Sequence, residues 1–182
     1  YSFITIKRQI SKRHQAEEAL QSSMIAAQNS QKQFERTVSM ISDIVWRVKI
    51  DNQARFVSSY ISPVIDSLLG LNLGAIGGNF EKYFSYIHPE DSVAVQETFA
   101  IGLRSLQESK ELDYRLIKSD GTIIWVRSKG TAYAEENGAA IVYGTTTDIT
   151  EHKRAEDALR ESEERLRDIT SSMAEWVWEV NE

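Results

Sequence analysis

A chain of 182 residues, 41% hydrophobic and 26% charged, with a net charge of −6, has the make-up of a soluble globular protein. It holds one domain of about 110 to 120 residues plus helical extensions. The absence of cysteine excludes disulfides, zinc–thiolate sites, thiol nucleophiles and cysteinyl cofactor adducts. The basic cluster Lys7, Arg8, Lys12 and Arg13 stands beside Glu17 and Glu18 without interleaved aromatics, so a solvated helix face is expected there and a nucleic-acid partner is not.

In chain order, YSFITI and the basic KRQISKR suit the end of a membrane helix and its cytoplasmic flank in a longer parent, since six residues fall far short of the roughly 20 that span a bilayer. A cytoplasmic location is expected for the remainder. Residues 1–42 form an N-terminal linker segment, with one helix from Lys7 to Ser42. No Pro or Gly interrupts it, and Ala16, Leu20, Ser23, Ala27, Ser30, Phe34, Thr37 and Ile41 keep a four-three spacing. Leu20, Ala27 and Phe34 mark a candidate dimer seam, although its small residues leave open a solitary helix. From Ile44 the period changes to two, with Ile44, Trp46, Val48 and Ile50 on one face of a strand. Asp51-Asn52 supplies a turn and Ala54 to Ser58 a second strand. Ser62-Pro63 reads as a serine cap with proline in the first helical position, and Gly70 ends that short helix.

Glycines 70, 74, 77 and 78 follow no strand and lack dinucleotide-binding spacing, so a flexible loop is expected. Phe80 to Ile87 gives a helical turn or two against the core. His88-Pro89-Glu90-Asp91 opens a helix to about Glu108, with carboxylates in its first turn where the helix dipole favours them. Three strands close the domain: Glu111 to Lys118, Thr122 to Ala134 and Ala139 to Asp148, with turns at Ser119-Asp120-Gly121 and Asn137-Gly138. At 144–159, GTTTDITEHKRAEDAL, strand text gives way to helix. Antiparallel strands with helices gathered between them predict an α+β fold.

The chain also repeats itself. AEEAL at 16–20 returns as AEDAL at 155–159, a shift of 139, whereas Phe34 to Val48 returns as Leu166 to Val180, a shift of 132. The difference is one heptad, which preserves the phase of a coiled coil. Whole domains in tandem are therefore expected in a longer protein: a domain at 43–150, a linker helix at 151–171, and at 172–182 the start of a second, truncated copy. Leu159, Leu166 and Ile169 continue the seam. Glu156-Arg160, Glu161-Arg165 and Glu163-Arg167 are helical ion pairs, each contributing about 0.2 to 0.5 kcal/mol.

The ordered series FVSSYISPVIDSLLG at 56–70, IHPED at 87–91, LDYRLIKSDGTIIWVRSKG at 112–130 and TTTDITEHKRAE at 145–156 resembles PAS sensor domains with their PAC-type C-terminal half. The resemblance implies a five-stranded antiparallel sheet in the order 2-1-5-4-3, with helices on one face around a small-ligand cavity. It also implies a signal junction at Asp148, Ile149 and Thr150, where Asp or Thr can cap the outgoing helix. Candidate cavity walls are Trp46, Phe80, Phe84, Tyr86, Tyr114, Trp125 and Tyr143, with Arg127 as an anion partner; the aromatics equally suit a filled core.

His14, His88 and His152 are scattered, no catalytic constellation is present, and no metal site is expected. His88, the sole candidate haem ligand in the domain, stands at a helix entrance where capping accounts for HPED, so haem is not expected. Free flavin, though not called for, and a small organic ligand stay open. The implied function is a non-enzymatic sensory or relay module of a tandem-PAS signalling protein, in a two-component system for example. It would be homodimeric through its linker helices and joined to a downstream output domain such as a histidine kinase or cyclic-dinucleotide enzyme. The alternative is a constitutive dimerisation spacer without ligand.

Overall fold

The computed structural model describes residues 2–39, 42–53, 55–135 and 138–179, and the chain divides into two units, 1–42 and 43–182. The first holds helix α1 (Ser2–Ser39), whose 38 residues span about 57 Å at helical rise. Leu20 and Ala27 of the expected seam lie in solvent; the side chain of Phe34 is outside the described set, as are Met40 and Ile41. No described helix is long and apolar enough to cross a membrane.

The second unit runs β1 (Ile44–Ile50), β2 (Phe56–Ile61), α2 (Val64–Leu68), α3 (Phe80–Phe84), α4 (Ser92–Arg104), β3 (Ser109–Ile117), β4 (Ile123–Ala134), β5 (Ala140–Asp148) and α5 (Thr150–Glu179). The strands form one antiparallel sheet in the order β2-β1-β5-β4-β3. Side chains alternate across a strand, so Ile44, Trp46, Val48 and Ile50 are buried together, joined by Ile124, Val126 and Ala132 of β4 and Val142 of β5. Ile123 and Trp125 on one face of β4 and Ile124 and Val126 on the other are all apolar, and the tertiary fold selects the set containing Ile124. Helices α2, α3 and α4 place Ile65, Leu69, Phe80 and Tyr83, with the half-buried Val95 and Phe99, over the same face. Each fully buried aliphatic side chain contributes roughly 1.5 to 3 kcal/mol of hydrophobic stabilisation.

Several local expectations are corrected. Strand β2 begins at Phe56 and carries a register shift opposite Lys49 and Ile50; Ala54 lies outside the described residues, as does Asn137. Ser62 does not cap α2. Its buried hydroxyl accepts the Val45 amide at 3.0 Å while its own amide donates to the Val45 carbonyl at 2.8 Å, so it extends the β1–β2 pairing, and Pro63 takes the cap position. Helix α4 ends at Arg104 rather than near Glu108. It has no acidic residue in its first turn, and Asp91 at its N-cap makes no capping bond. The Asp91 carboxylate turns to Arg115 of β3, whose guanidinium and amide offer charge-assisted bonds stronger than a single helix amide.

The glycine-rich stretch is held rather than free. Asp66, 2% exposed, accepts the amides of Gly74 at 2.8 Å and Ile76 at 2.9 Å, and Ile76 is thereby seated in the core. Gly74 has a φ of +83°, which a residue with a Cβ rarely adopts. At the far end, 172–179 is helical and continuous with α5, although its counterpart in the repeat includes the start of β1. Along α5 Glu161 pairs with Arg165 at 3.2 Å as expected, but Arg160 turns to Asp157 and Glu156 lies 3.6 Å from Lys153.

Candidate functional site

Between the inner face of the sheet and helices α3 and α4 lies a cavity of about 70 Å³. Its walls are mostly apolar, with Trp46, Phe80, Phe84, Leu112, Ala132 and Val142 from the sheet and α3, and Val95 and Phe99 from α4. The Trp46 ring lies 5.6 Å from that of Phe80, which meets Phe84 edge-on at 5.2 Å. Trp46 lies flat on the sheet because its strand neighbours there are glycines. Gly144 pairs with Trp46 and with Gly130, and a Cβ added at either glycine would come within 2.1 Å or 2.7 Å of the indole. Nothing in the sequence marks these two glycines, since neither has a positive φ or a turn motif.

One wall is polar. The Trp46 indole N–H donates to Thr146 Oγ1 at 3.0 Å; Thr146 meets Ser128 Oγ at 2.5 Å, Ser128 meets the Tyr114 hydroxyl at 2.7 Å, and Tyr114 meets Tyr83 at 2.5 Å. Tyr83, Tyr114 and Thr146 are at most 5% exposed. Burial pushes the Tyr83 hydroxyl well above the usual phenol range, with the neighbouring Tyr114 adding to the effect, and burial likewise raises Tyr114. Both therefore remain protonated donors at neutral pH. Lys110, also in the lining, pairs with Glu108 at 2.8 Å.

On the opposite face, Trp125 sits between two cations, with Arg115 of β3 and Lys153 of α5 each 5.6 Å from its ring centre. Arg115 binds Asp91 at 2.6 Å and Glu90 at 2.9 Å, and Lys153 reaches Asp113 at 3.4 Å. Arg127 forms a two-pronged pair with Asp113 at 2.6 and 2.9 Å. These guanidiniums hold Asp91 and Asp113 below the usual carboxylate range. The start of α5 is fastened to the same strand. The Ile149 amide donates to the Trp125 carbonyl at 2.9 Å, the Trp125 amide to Thr150 Oγ1 at 3.0 Å, and the Thr150 amide to Asp148 Oδ1 at 2.8 Å.

Of the eight side chains singled out from sequence, Trp46, Phe80, Phe84 and Tyr114 line the cavity. Tyr86 is absent from the lining and packs, half-buried, against the core, its carbonyl accepting the Ile117 amide. Trp125, Arg127 and Tyr143 fall on the other face. Trp125 lines an open groove with Lys153 and Arg160, Arg127 is committed to Asp113, and Tyr143 stacks edge-on with Tyr133 at 6.1 Å. Alternation explains the error, because Arg127 follows the inward Val126 and Tyr143 the inward Val142. Tyr83, Ser128 and Thr146 were missed, since isolated hydroxyls carry no sequence signal.

His88 is absent from the cavity lining and accepts the Glu90 amide at 3.4 Å. Among the described residues no cluster of three His, Asp or Glu side chains could hold a metal ion. The expected seam positions Leu159, Leu166 and Ile169 are solvent-exposed.

An antiparallel sheet in this order, with helices enclosing a cavity on one face and the last strand pinned to an outgoing helix, is the architecture of a PAS sensor domain. Residues 58–146 match the family model described as PAS fold, and the domain built by β1 to β5 belongs to that family. The chain is 31% identical over 109 residues to an uncharacterised protein of Sinorhizobium fredii and 29% identical over 126 residues to the two-component sensor PprA of Pseudomonas aeruginosa. The matches take in 59% and 68% of this chain but 13% of the length of each relative. A crystal structure of a sensory box histidine kinase/response regulator from Burkholderia thailandensis superposes with a TM-score of 0.57 at 27% identity, over 74% of this chain and 98% of that one. The domain is thus homologous to sensory, non-catalytic modules of signal-transduction proteins.

Proposed function

We propose that this domain is an input and relay module of a longer signalling protein, in which occupation or repacking of the cavity alters the seat of α5 through Asp148, Ile149 and Thr150. The observation that carries this reading is that one strand pair, β4–β5, bears both cavity lining, at Ser128 and Val142, with Thr146 hydrogen-bonded to Ser128, and the attachment of α5, at Trp125, Ile149 and Thr150. Helix α4 supports it. None of its residues is fully buried, so it is the wall most readily displaced, and the Asp91–Arg115–Trp125–Lys153 series connects its entrance to α5. The exposed Leu20, Leu159, Leu166 and Ile169 fit a homodimer formed through the linker helices. A cytoplasmic parent, anchored upstream and ending in a kinase or cyclic-dinucleotide output, accords with relatives that are far longer than this chain.

A second reading, a constitutive dimerisation spacer, is favoured by the small cavity, since ligand sites of about 300 to 1,000 Å³ are usual. Native and denaturing mass spectra with an absorbance spectrum first determine whether a molecule copurifies. Hydrogen exchange in an Ala132→Val variant, which fills the cavity, then separates the readings. Relay requires altered exchange at the Trp125, Ile149, Thr150 and Lys153 amides; change confined to cavity residues leaves the spacer.

A further inference from the structure

The polar wall of the cavity is turned on itself. Tyr83 meets Tyr114, Tyr114 meets Ser128 and Ser128 meets Thr146, while Tyr83 also reaches Thr146 and Ser128. Hydroxyls in such a closed circuit each donate once and accept once, and the Trp46 indole N–H ends on a further lone pair of Thr146. Among the described residues no buried side-chain nitrogen or oxygen lacks a hydrogen-bond partner. The circuit keeps its hydrogens for itself, and an occupant finds no vacant donor there. Two other polar side chains stand in the lining: Lys110 of β3, paired with Glu108, and Thr98 of α4, which is partly exposed to water. The rest of the lining is glycine or carbon side chain.

This wall discriminates between molecules of one shape. A ligand carbonyl or ether placed against it gives up hydrogen bonds to water and gains none, and a ligand hydroxyl can donate to a spare lone pair only by stranding its own oxygen. Hydrocarbon forfeits nothing in the same transfer, and burial of each methylene favours it. An apolar cavity of about 150 Å³ stays dry and takes up benzene or xenon. At about 10 to 15 Å³ for each water-sized unit, about 70 Å³ corresponds to roughly five or six non-hydrogen atoms. Resting on the reading that this cavity receives the input, we propose that the occupant is a small apolar molecule, a hydrocarbon of that size without a polar group, packed against Phe80, Phe99, Ala132 and Val142 while the hydroxyl circuit stays closed. The circuit then acts as a filter that rejects polar molecules of the same shape.

The test is a nuclear magnetic resonance titration of the whole 182-residue protein with cyclopentane, its isostere tetrahydrofuran, and decanoate. Saturable shifts at the Ala132 and Val142 methyls are expected with cyclopentane, at an affinity about fivefold or more above tetrahydrofuran, the worth of one stranded hydrogen bond. Decanoate, whose chain exceeds the volume and whose carboxylate would meet only the engaged Lys110, should not displace cyclopentane. The Ala132→Val variant should lose cyclopentane binding; retention there places the hydrocarbon elsewhere and overturns the site. Equal or preferred binding of tetrahydrofuran means that the circuit offers a donor, and preferred binding of decanoate means that the site takes a lipid chain. Either result overturns the proposed chemistry but leaves a ligand-holding cavity. Cyclopentane bound without any shift at the Ile149 and Thr150 amides upholds the occupant and removes the relay. If none of the three probes shifts the methyls, the occupant and the sensory reading fall together.

Discussion

Trp46 owes its position to atoms that are missing. The indole can lie against β4 and β5 only because Gly130 and Gly144 face each other across the strand pair beneath it. Gly144→Ala should therefore destabilise the domain by about 1 to 3 kcal/mol through overpacking, read as a lowered urea midpoint. Gly102→Ala provides the contrast. That glycine lies within α4 with the nearest foreign atom 3.6 Å from its added Cβ, so the change should be neutral or stabilising by up to about 1 kcal/mol. Equal losses from the two would sink the steric account of Trp46. Asp66 makes a similar point with polar atoms. Removing its carboxylate in Asp66→Ala strands the amides of Gly74 and Ile76, and a loss of about 2 kcal/mol or more is expected in the same assay. None of this is visible at single positions in the sequence, because a glycine under an indole and a glycine in a turn are written with the same letter.

At the scale of elements, charge joins what the chain separates. Asp91 at the entrance of α4 and Asp113 on β3 are held below their ordinary value of 3.8, chiefly by hydrogen bonds from Arg115 and Arg127. A carboxyl depressed on folding binds fewer protons in the native state than in the unfolded state. Its contribution is therefore complete above the unfolded pKa and is lost as pH falls through the lower, folded value. Stability measured by urea titration should decline as pH drops below about 4, where unfolded aspartates begin to protonate. Asp91→Asn should lower stability at neutral pH and flatten that acid slope; an unchanged slope would mean that the pair is solvent-screened. The sequence motif HPED announced a helix start correctly and misassigned its acid. Local text favours a cap, and only the neighbouring strand brings an arginine close enough to win the carboxylate.

For the molecule as a whole, the exposed Leu159, Leu166 and Ile169 repeat at helical spacing on α5. If they form a dimer seam, Leu159→Asp with Leu166→Asp should convert a dimer mass in sedimentation or native spectra to a monomer without lowering the domain's own unfolding midpoint. A monomer in the unaltered protein would remove the seam. Much of the architecture was legible beforehand. Period-two burial in β1, the three closing strands, the change to helix after Asp148 and the wording of the PAS series all depend on near neighbours in the chain, and near neighbours dictate periodicity, turns and caps. What tertiary structure alone decided is which face of each strand turns inward and which distant groups meet. It sent Trp125, Arg127 and Tyr143 outward and drew Tyr83, Tyr114, Ser128, Thr146 and Trp46 into one hydrogen-bonded wall. The reason is physical: register across five strands aligns residues as distant in sequence as Ile44 and Thr146, and a one-residue slip exchanges the faces, so no local pattern can encode the outcome.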